Sequence, residues 1–294
     1  MWDKIAVRIT EVTGEDFQID NRRSVSGGCI NQGYQVSDGF RSYFVKVNQA
    51  SQVAMFEAEA LGLQQMCATQ TIRVPKPICW GTEGNSAFIV LEWLDLGGRD
   101  NNQAWEEMGH KLAAMHKYIP ADSTLLKGSF GWKINNTIGS TPQINTGAAN
   151  WGQFWSEHRI GYQLKLAKRR GGHFPQGEHL LAVIPELLAD YEPQPSLVHG
   201  DLWGGNAGMT SAGEPVLFDP APYFGDREVD IAMTELFGGF SAAFYRGYNE
   251  AWRLDEGYER RKFLYNLYHI LNHFNLFGGG YESQANQMIN QLLR

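Results

Sequence analysis

Leu197-Val198-His199-Gly200-Asp201-Leu202-Trp203-Gly204-Gly205-Asn206, followed after a turn by Val216-Leu217-Phe218-Asp219-Pro220, is the stretch on which the fold turns. An aspartate five positions before an asparagine, with a second aspartate closing the next apolar run, supplies one base and two oxygen ligands for a hard cation. A hydroxyl attacking the γ-phosphate of ATP needs a carboxylate to orient it and take its proton, and Mg2+ to neutralise the developing charge. Asp201 is the candidate base, and Asn206 and Asp219 are the candidate Mg2+ ligands. His199 is expected to hold this loop through hydrogen bonds rather than to titrate. No HExxH pattern or second histidine cluster points to a different metal site, and His110 and His116 read as ordinary core or rim residues of one helix.

Working outward, Ser24 to Tyr34 lies between two strand-like runs, and Gly27, Gly28 and Cys29 would let backbone amides approach phosphate oxygens. Tyr43 to Val47 reads as a strand that aims Lys46 at the α- and β-phosphates. Ala54 to Met66 has a period near 3.6 and reads as a helix, from which Glu59 can fix the Lys46 ammonium. Glu57 is the alternative partner, since carboxylates two residues apart on a helix face different ways. Glu92-Trp93-Leu94, at the exit of the apolar strand Ala87 to Glu92, offers backbone groups to an adenine ring. Downstream, Asp226, Glu228 and Asp230 alternate before an apolar helix. Asp230 is placed either to brace the catalytic loop or to serve as an ordinary helix N-terminal charge.

These segments sort into an α+β chain of two lobes. Residues 1–94 read as a nucleotide-binding lobe, a small antiparallel sheet with one helix, with short β-type runs from Ile5 to Val47. Residues 95–294 read as a larger, mainly helical catalytic and substrate-binding lobe, with helices near 105–118, 151–169, 180–191, 230–252 and 259–277.

Composition sets limits on partners. The chain has 294 residues, 43% of them hydrophobic and 19% charged, which is globular composition. A net charge of -7 argues against nucleic acid, because phosphate neutralisation needs clustered Lys and Arg. The dense basic run Lys165 to Arg170 reads as a solvated helix face. Cys29, Cys67 and Cys79 make an odd count without CxxC spacing, which points to a reducing cytosol rather than a disulfide framework. No basic segment leads into a long apolar run, so neither a signal peptide nor a membrane span is expected.

With these residues in hand, the chain resembles the fructosamine kinase (ketosamine-3-kinase) family, small-molecule kinases related to the aminoglycoside phosphotransferases that share the bilobal protein-kinase-like fold. The resemblance runs over nearly the whole chain. It rests on Gly27-Gly28-Cys29-Ile30, Phe44-Val45-Lys46-Val47-Asn48, Met55-Phe56-Glu57-Ala58-Glu59, His199 to Asn206, and Asp230 to Phe240 with its Leu236-Phe237-Gly238-Gly239-Phe240 segment. It implies a ketosamine substrate, free or on a protein lysine, phosphorylated at the sugar O3 so that the product sheds phosphate and releases the amine. It implies that Trp203 stacks on the sugar, and that Cys29 in the phosphate loop is open to oxidation and a disulfide-linked homodimer, against a monomer with an inert Cys29. Gly204 stands where many relatives carry Ser, and Asp226 where His is common, departures that bear on specificity. A related kinase acting on an aminoglycoside, choline or homoserine is the near alternative, and a non-catalytic nucleotide-binding module the distant one.

Overall fold

The computed structural model describes residues 1–25, 30–98, 101–120 and 129–294. The chain forms two compact units, one of Met1–Asp100 with Gly208–Asp219 and the other of Asn101–Ala207 with Pro220–Arg294. The first unit therefore takes in a short segment far along the chain, which a linear cut at residue 94 assigns to the C-terminal part.

The first unit opens with helix α1 (Trp2–Thr13). Strands β1 (Asn21–Val25), β2 (Gln32–Ser37) and β3 (Ser42–Gln49) follow, then helix α2 (Val53–Ala68) and strands β4 (Pro77–Glu83) and β5 (Ser86–Glu92). The strands make one sheet in the order β1-β2-β3-β5-β4, with every neighbouring pair antiparallel. Strand alternation decides what each face carries. Val45 and Val47 of β3 join Val36, Phe88 and Val90 in a core closed by Ile5 and Ile9 of α1. Lys46, between them, points to the other face and meets α2.

Helix α1 replaces the short β-type runs expected from Ile5 onward, so among the described residues this unit holds two α-helices rather than one. The β-branched content of Ile5, Val7, Ile9, Thr10, Val12 and Thr13 favours strands locally. Burial of Ile5, Ala6 and Ile9 on one helical face wins, and Gly14 closes the helix at φ 74° with its amide on Thr10 O.

The second unit is mostly helical. It contains α3 (Asn102–Lys117), the hairpin β6 (Asn136–Ile138) and β7 (Thr141–Gln143), and α4 (Trp151–Phe154), which runs through a π-helical segment, Trp155–Gly161, into α5 (Tyr162–Arg169). Helix α6 (Gly177–Leu187) leads to β8 (Ser196–Val198). The hairpin β9 (Ala207–Met209) and β10 (Pro215–Leu217) brings the chain through the first unit. Strand β11 (Tyr223–Gly225) then pairs with β8, and α7 (Glu228–Leu236), α8 (Ala242–Ala251), α9 (Tyr258–Phe277) and α10 (Tyr281–Leu292) complete the fold.

The single helix expected over 230–252 is two, because Gly238 and Gly239 take φ values of 105° and 73°. That break follows from glycine's access to the left-handed region. Helices α3 and α8 approach closely because both are glycine at the contact. A Cβ at Gly109 would lie 2.2 Å from Phe244 O, and one at Gly247 would lie 2.2 Å from Glu106 O. Among the described residues no helix is long and apolar enough to cross a membrane.

Candidate active site

In the first unit, Lys46 is buried, and its ammonium lies 2.6 Å from Glu59 Oε1 and 2.5 Å from Asp219 Oδ1. Burial alone would lower the Lys46 pKa, but the Asp219 and Glu59 carboxylates more than reverse this and hold it cationic. Burial pushes the Glu59 carboxyl above its ordinary value against the opposing pull of Lys46. Two carboxylates share one ammonium here. Glu57 is exposed on α2, which leaves Glu59 as the partner. Asp219 holds φ 56°, a left-handed conformation costly for a residue with a Cβ. Its side chain remains 43% exposed.

Glu92 ends β5 with its amide donating to Lys76 O at 2.8 Å, while its carboxylate accepts from Arg73 Nη2 at 2.5 Å and from the Lys76 amide at 3.2 Å. Its side chain is thus turned to Arg73. Leu94 is half-buried, its carbonyl accepting from the Leu96 amide at 3.0 Å. Gly27, Gly28 and Cys29 lie outside the described residues.

In the second unit, the loop after β8 carries Asp201. The Asp230 carboxylate, at the start of α7, accepts from the His199 amide at 2.6 Å and the Gly200 amide at 2.8 Å. Gly200 has φ 81°, and a Cβ there would lie 2.1 Å from Ala221 O, so glycine is required. His199 is fully buried, and its Nδ1 accepts from the Asp201 amide at 3.3 Å. Asn206 Nδ2 donates to Asp201 O at 2.8 Å and reaches Oδ2 at 3.3 Å. The amide nitrogen is committed to Asp201, and the amide oxygen is the Asn206 atom with the chemistry of a Mg2+ ligand. A carboxylate and an amide oxygen fit Mg2+, which protein sites commonly hold through one or two such groups plus phosphate and water. Trp203 is 40% exposed and stands edge-on to Phe237 with ring centroids 6.5 Å apart.

His116 is the residue that sequence reasoning set aside. It is buried, with Nε2 3.0 Å from Asp230 Oδ2 and Nδ1 2.8 Å from Tyr248 Oη. Arg227 Nη1 donates to Tyr248 Oη at 3.1 Å, which directs the phenol proton to His116 Nδ1 and the imidazole Nε2 proton to Asp230. Burial keeps His116 neutral by lowering its pKa. Burial would raise Asp230, but the His116 hydrogen bond and nearby donors take it below its ordinary value. A histidine on the inner face of a helix gives no local sign of such a link. His110, by contrast, is an exposed rim residue beside Glu250.

A profile of the fructosamine kinase family matches residues 1–294. The chain belongs to the fructosamine kinase family. It is an ATP-dependent phosphotransferase of that family, with the protein-kinase-like fold. It is 57% identical over 293 residues to a probable ketoamine kinase of Synechocystis, covering 100% of this chain and 97% of that protein. It is 45% identical over 285 residues to the chloroplastic protein-ribulosamine 3-kinase of Arabidopsis thaliana, covering 96% of this chain and 85% of that protein. A crystal structure of a candidate fructosamine-3-kinase from Haemophilus somnus superposes with a TM-score of 0.92 at 31% identity, covering 100% of this chain and 98% of the other.

Proposed function

We propose that this fructosamine kinase family member transfers the γ-phosphoryl group of ATP to the O3 hydroxyl of a ketosamine, free or carried on a protein lysine. The observation that supports it most is the Asp201–Asn206 loop, fixed on Asp230, in a chain that matches the family end to end. The Asp201 carboxylate orients O3 and accepts its proton as O3 bonds to the γ-phosphorus and the bond to ADP breaks. Lys46, held cationic by Glu59, attracts the α- and β-phosphates, Gly27, Gly28 and Cys29 cover them, and Glu92 to Leu94 contact adenine through backbone. Asn206 and Asp219 would hold Mg2+, which when bound would supply positive charge against the transferring group. Trp203 offers an aromatic face to the sugar and the cationic amine. Phosphate at C3 leaves far more readily than hydroxide, so the product loses it and frees the amine. Free thiols at Cys67 and Cys79 support a reducing compartment such as the cytoplasm for this activity.

The test is ADP release with Mg2+ over a panel of fructosyl-lysine, ribulosyl-lysine, an aminoglycoside, choline and homoserine, with the phosphate position read by NMR. Turnover confined to the ketosamines with phosphate on O3 is expected. Turnover only with another acceptor would move the chain to a sister activity, and nucleotide binding without turnover would make it a binding module.

A further inference from the structure

The first unit contains an ion-pair bridge that the site described above does not use. Arg73, between α2 and β4, places Nη2 2.5 Å from Glu92 Oε1 and Nη1 3.2 Å from Glu214 Oε2. Glu92 begins the segment assigned to adenine. Glu214 sits at the turn of the β9–β10 hairpin, whose second strand runs on to Asp219, the assigned Mg2+ ligand. The backbone repeats the link. The Leu217 amide donates to Arg73 O at 2.9 Å, and Arg73 forms a parallel bridge with Val216. On its other side the hairpin is stitched to the chain after Leu94, with Gly97 and Gly98 amides on Met209 O and the Ser211 amide on Asp95 O. A Cβ at Gly98 would lie 1.9 Å from Thr210 O, so this approach admits only glycine.

We propose that Arg73 is a positioning residue that sets the adenine-binding segment and the Asp219 hairpin at a fixed separation, so that nucleotide and Mg2+ are bound as one unit. The inference rests on the assignment of Glu92 to Leu94 and Asp219 given above. A guanidinium suits this task because its planar fork offers separate N–H groups to two carboxylates, whereas an ammonium is a point charge. The Arg73 head lies in a recess of about 470 Å³ that also exposes Cys67 and Lys76, so the bridge is reachable from solvent and responds to salt.

The experiment compares Arg73→Met, Arg73→Lys and Glu214→Gln with the unaltered chain, reading KM for ATP, the Mg2+ concentration for half-maximal rate, KM for the ketosamine and the melting temperature. Arg41→Met serves as control. Arg41 bridges Asp38 and Glu15 in the same unit, each at 2.6 Å, and touches neither assigned segment. Arg73→Met is expected to raise KM for ATP and the Mg2+ requirement about three- to fivefold, the scale of partly exposed ion pairs. The ketosamine KM stays put, Arg73→Lys falls between, and Arg41→Met shifts only the melting temperature. Arg73→Met behaving like Arg41→Met would overturn the proposal. Should Arg73→Met fail to fold, an unchanged Mg2+ requirement in Glu214→Gln would overturn it equally. Absence of MgATP binding by the unaltered chain would instead remove the assigned function, and the positioning role with it.

Discussion

His116 and Asp230, 114 positions apart in sequence, meet at 3.0 Å with both side chains buried, and Asp230 in turn holds the two backbone amides that begin the Asp201 loop. Removing the imidazole leaves one Asp230 oxygen short of a donor. His116→Phe is expected to lower kcat roughly tenfold or more with little change in KM for ATP, and to cost about 1–3 kcal/mol of stability. Tyr248→Phe, which removes the hydroxyl that sets the imidazole tautomer, should cost about 1 kcal/mol and a smaller loss of kcat. Parallel denaturation and steady-state kinetics check both. A His116→Phe enzyme with unchanged kcat would show that the loop is held without it.

Lys46 and its carboxylates call for a different experiment. Lys46→Met leaves Glu59 buried without its cation, and breaking a buried pair from one side costs about 3–5 kcal/mol. Lys46→Met combined with Glu59→Gln should recover much of that stability while remaining inactive. Urea denaturation of the two single variants and the double variant measures the coupling. Strict additivity would contradict the buried pair.

Two buried groups of opposite sign contribute to the pH dependence of stability. Asp226 accepts from Tyr265 Oη at 2.5 Å and Tyr191 Oη at 3.2 Å. Burial, reinforced by the Glu228 charge, raises it from 3.8 to about 7. Between those values the native state binds the extra proton, so this contribution is full below 3.8 and is lost as pH rises through about 7. His269 runs the other way. Burial lowers it from 6.5 to about 3, so its contribution is present above 6.5 and is lost as pH falls toward 3. Asp226→Asn should flatten the decline between about pH 4 and 7 and leave the acid loss in place. A denaturation series in which that slope survives the substitution would refute the Asp226 assignment.

Trp203 is exposed and contacts Phe237 edge-on, so little of the fold depends on it. Trp203→Ala is expected to change stability by less than about 0.5 kcal/mol. It should raise the ketosamine KM about three- to thirtyfold, the range of an aromatic face on a cation. An unchanged KM would remove Trp203 from the acceptor side.

Much of the site could be read from the chain because its chemistry is local. Asp201, Asn206 and Asp219 fall within one loop, turn and strand, and the Lys46–Glu59 contact follows from one alternating strand and one helix. The fold class was legible for the same reason, since the switch from short apolar runs to helical spacing occurs near Gly97-Gly98. What stayed hidden depends on distant partners. His116 needs Asp230 and Tyr248, and Arg73 needs Glu214, 141 residues away. Helix α1 was misread because its β-branched residues speak for a strand, while the burial of Ile5 and Ile9 against the sheet decides otherwise. The break after α7 hid in Gly238-Gly239, whose backbone angles rather than composition end the helix.

The central claim is phosphoryl transfer to a ketosamine with Asp201 as base, and its most direct test is Asp201→Asn measured beside the unaltered chain for MgATP binding and for ADP release with fructosyl-lysine and ribulosyl-lysine. The account predicts rapid ketosamine-dependent turnover by the unaltered chain, and MgATP binding within about threefold of it in Asp201→Asn with kcat lower by roughly 10²-fold or more. Near-normal turnover by Asp201→Asn would contradict it.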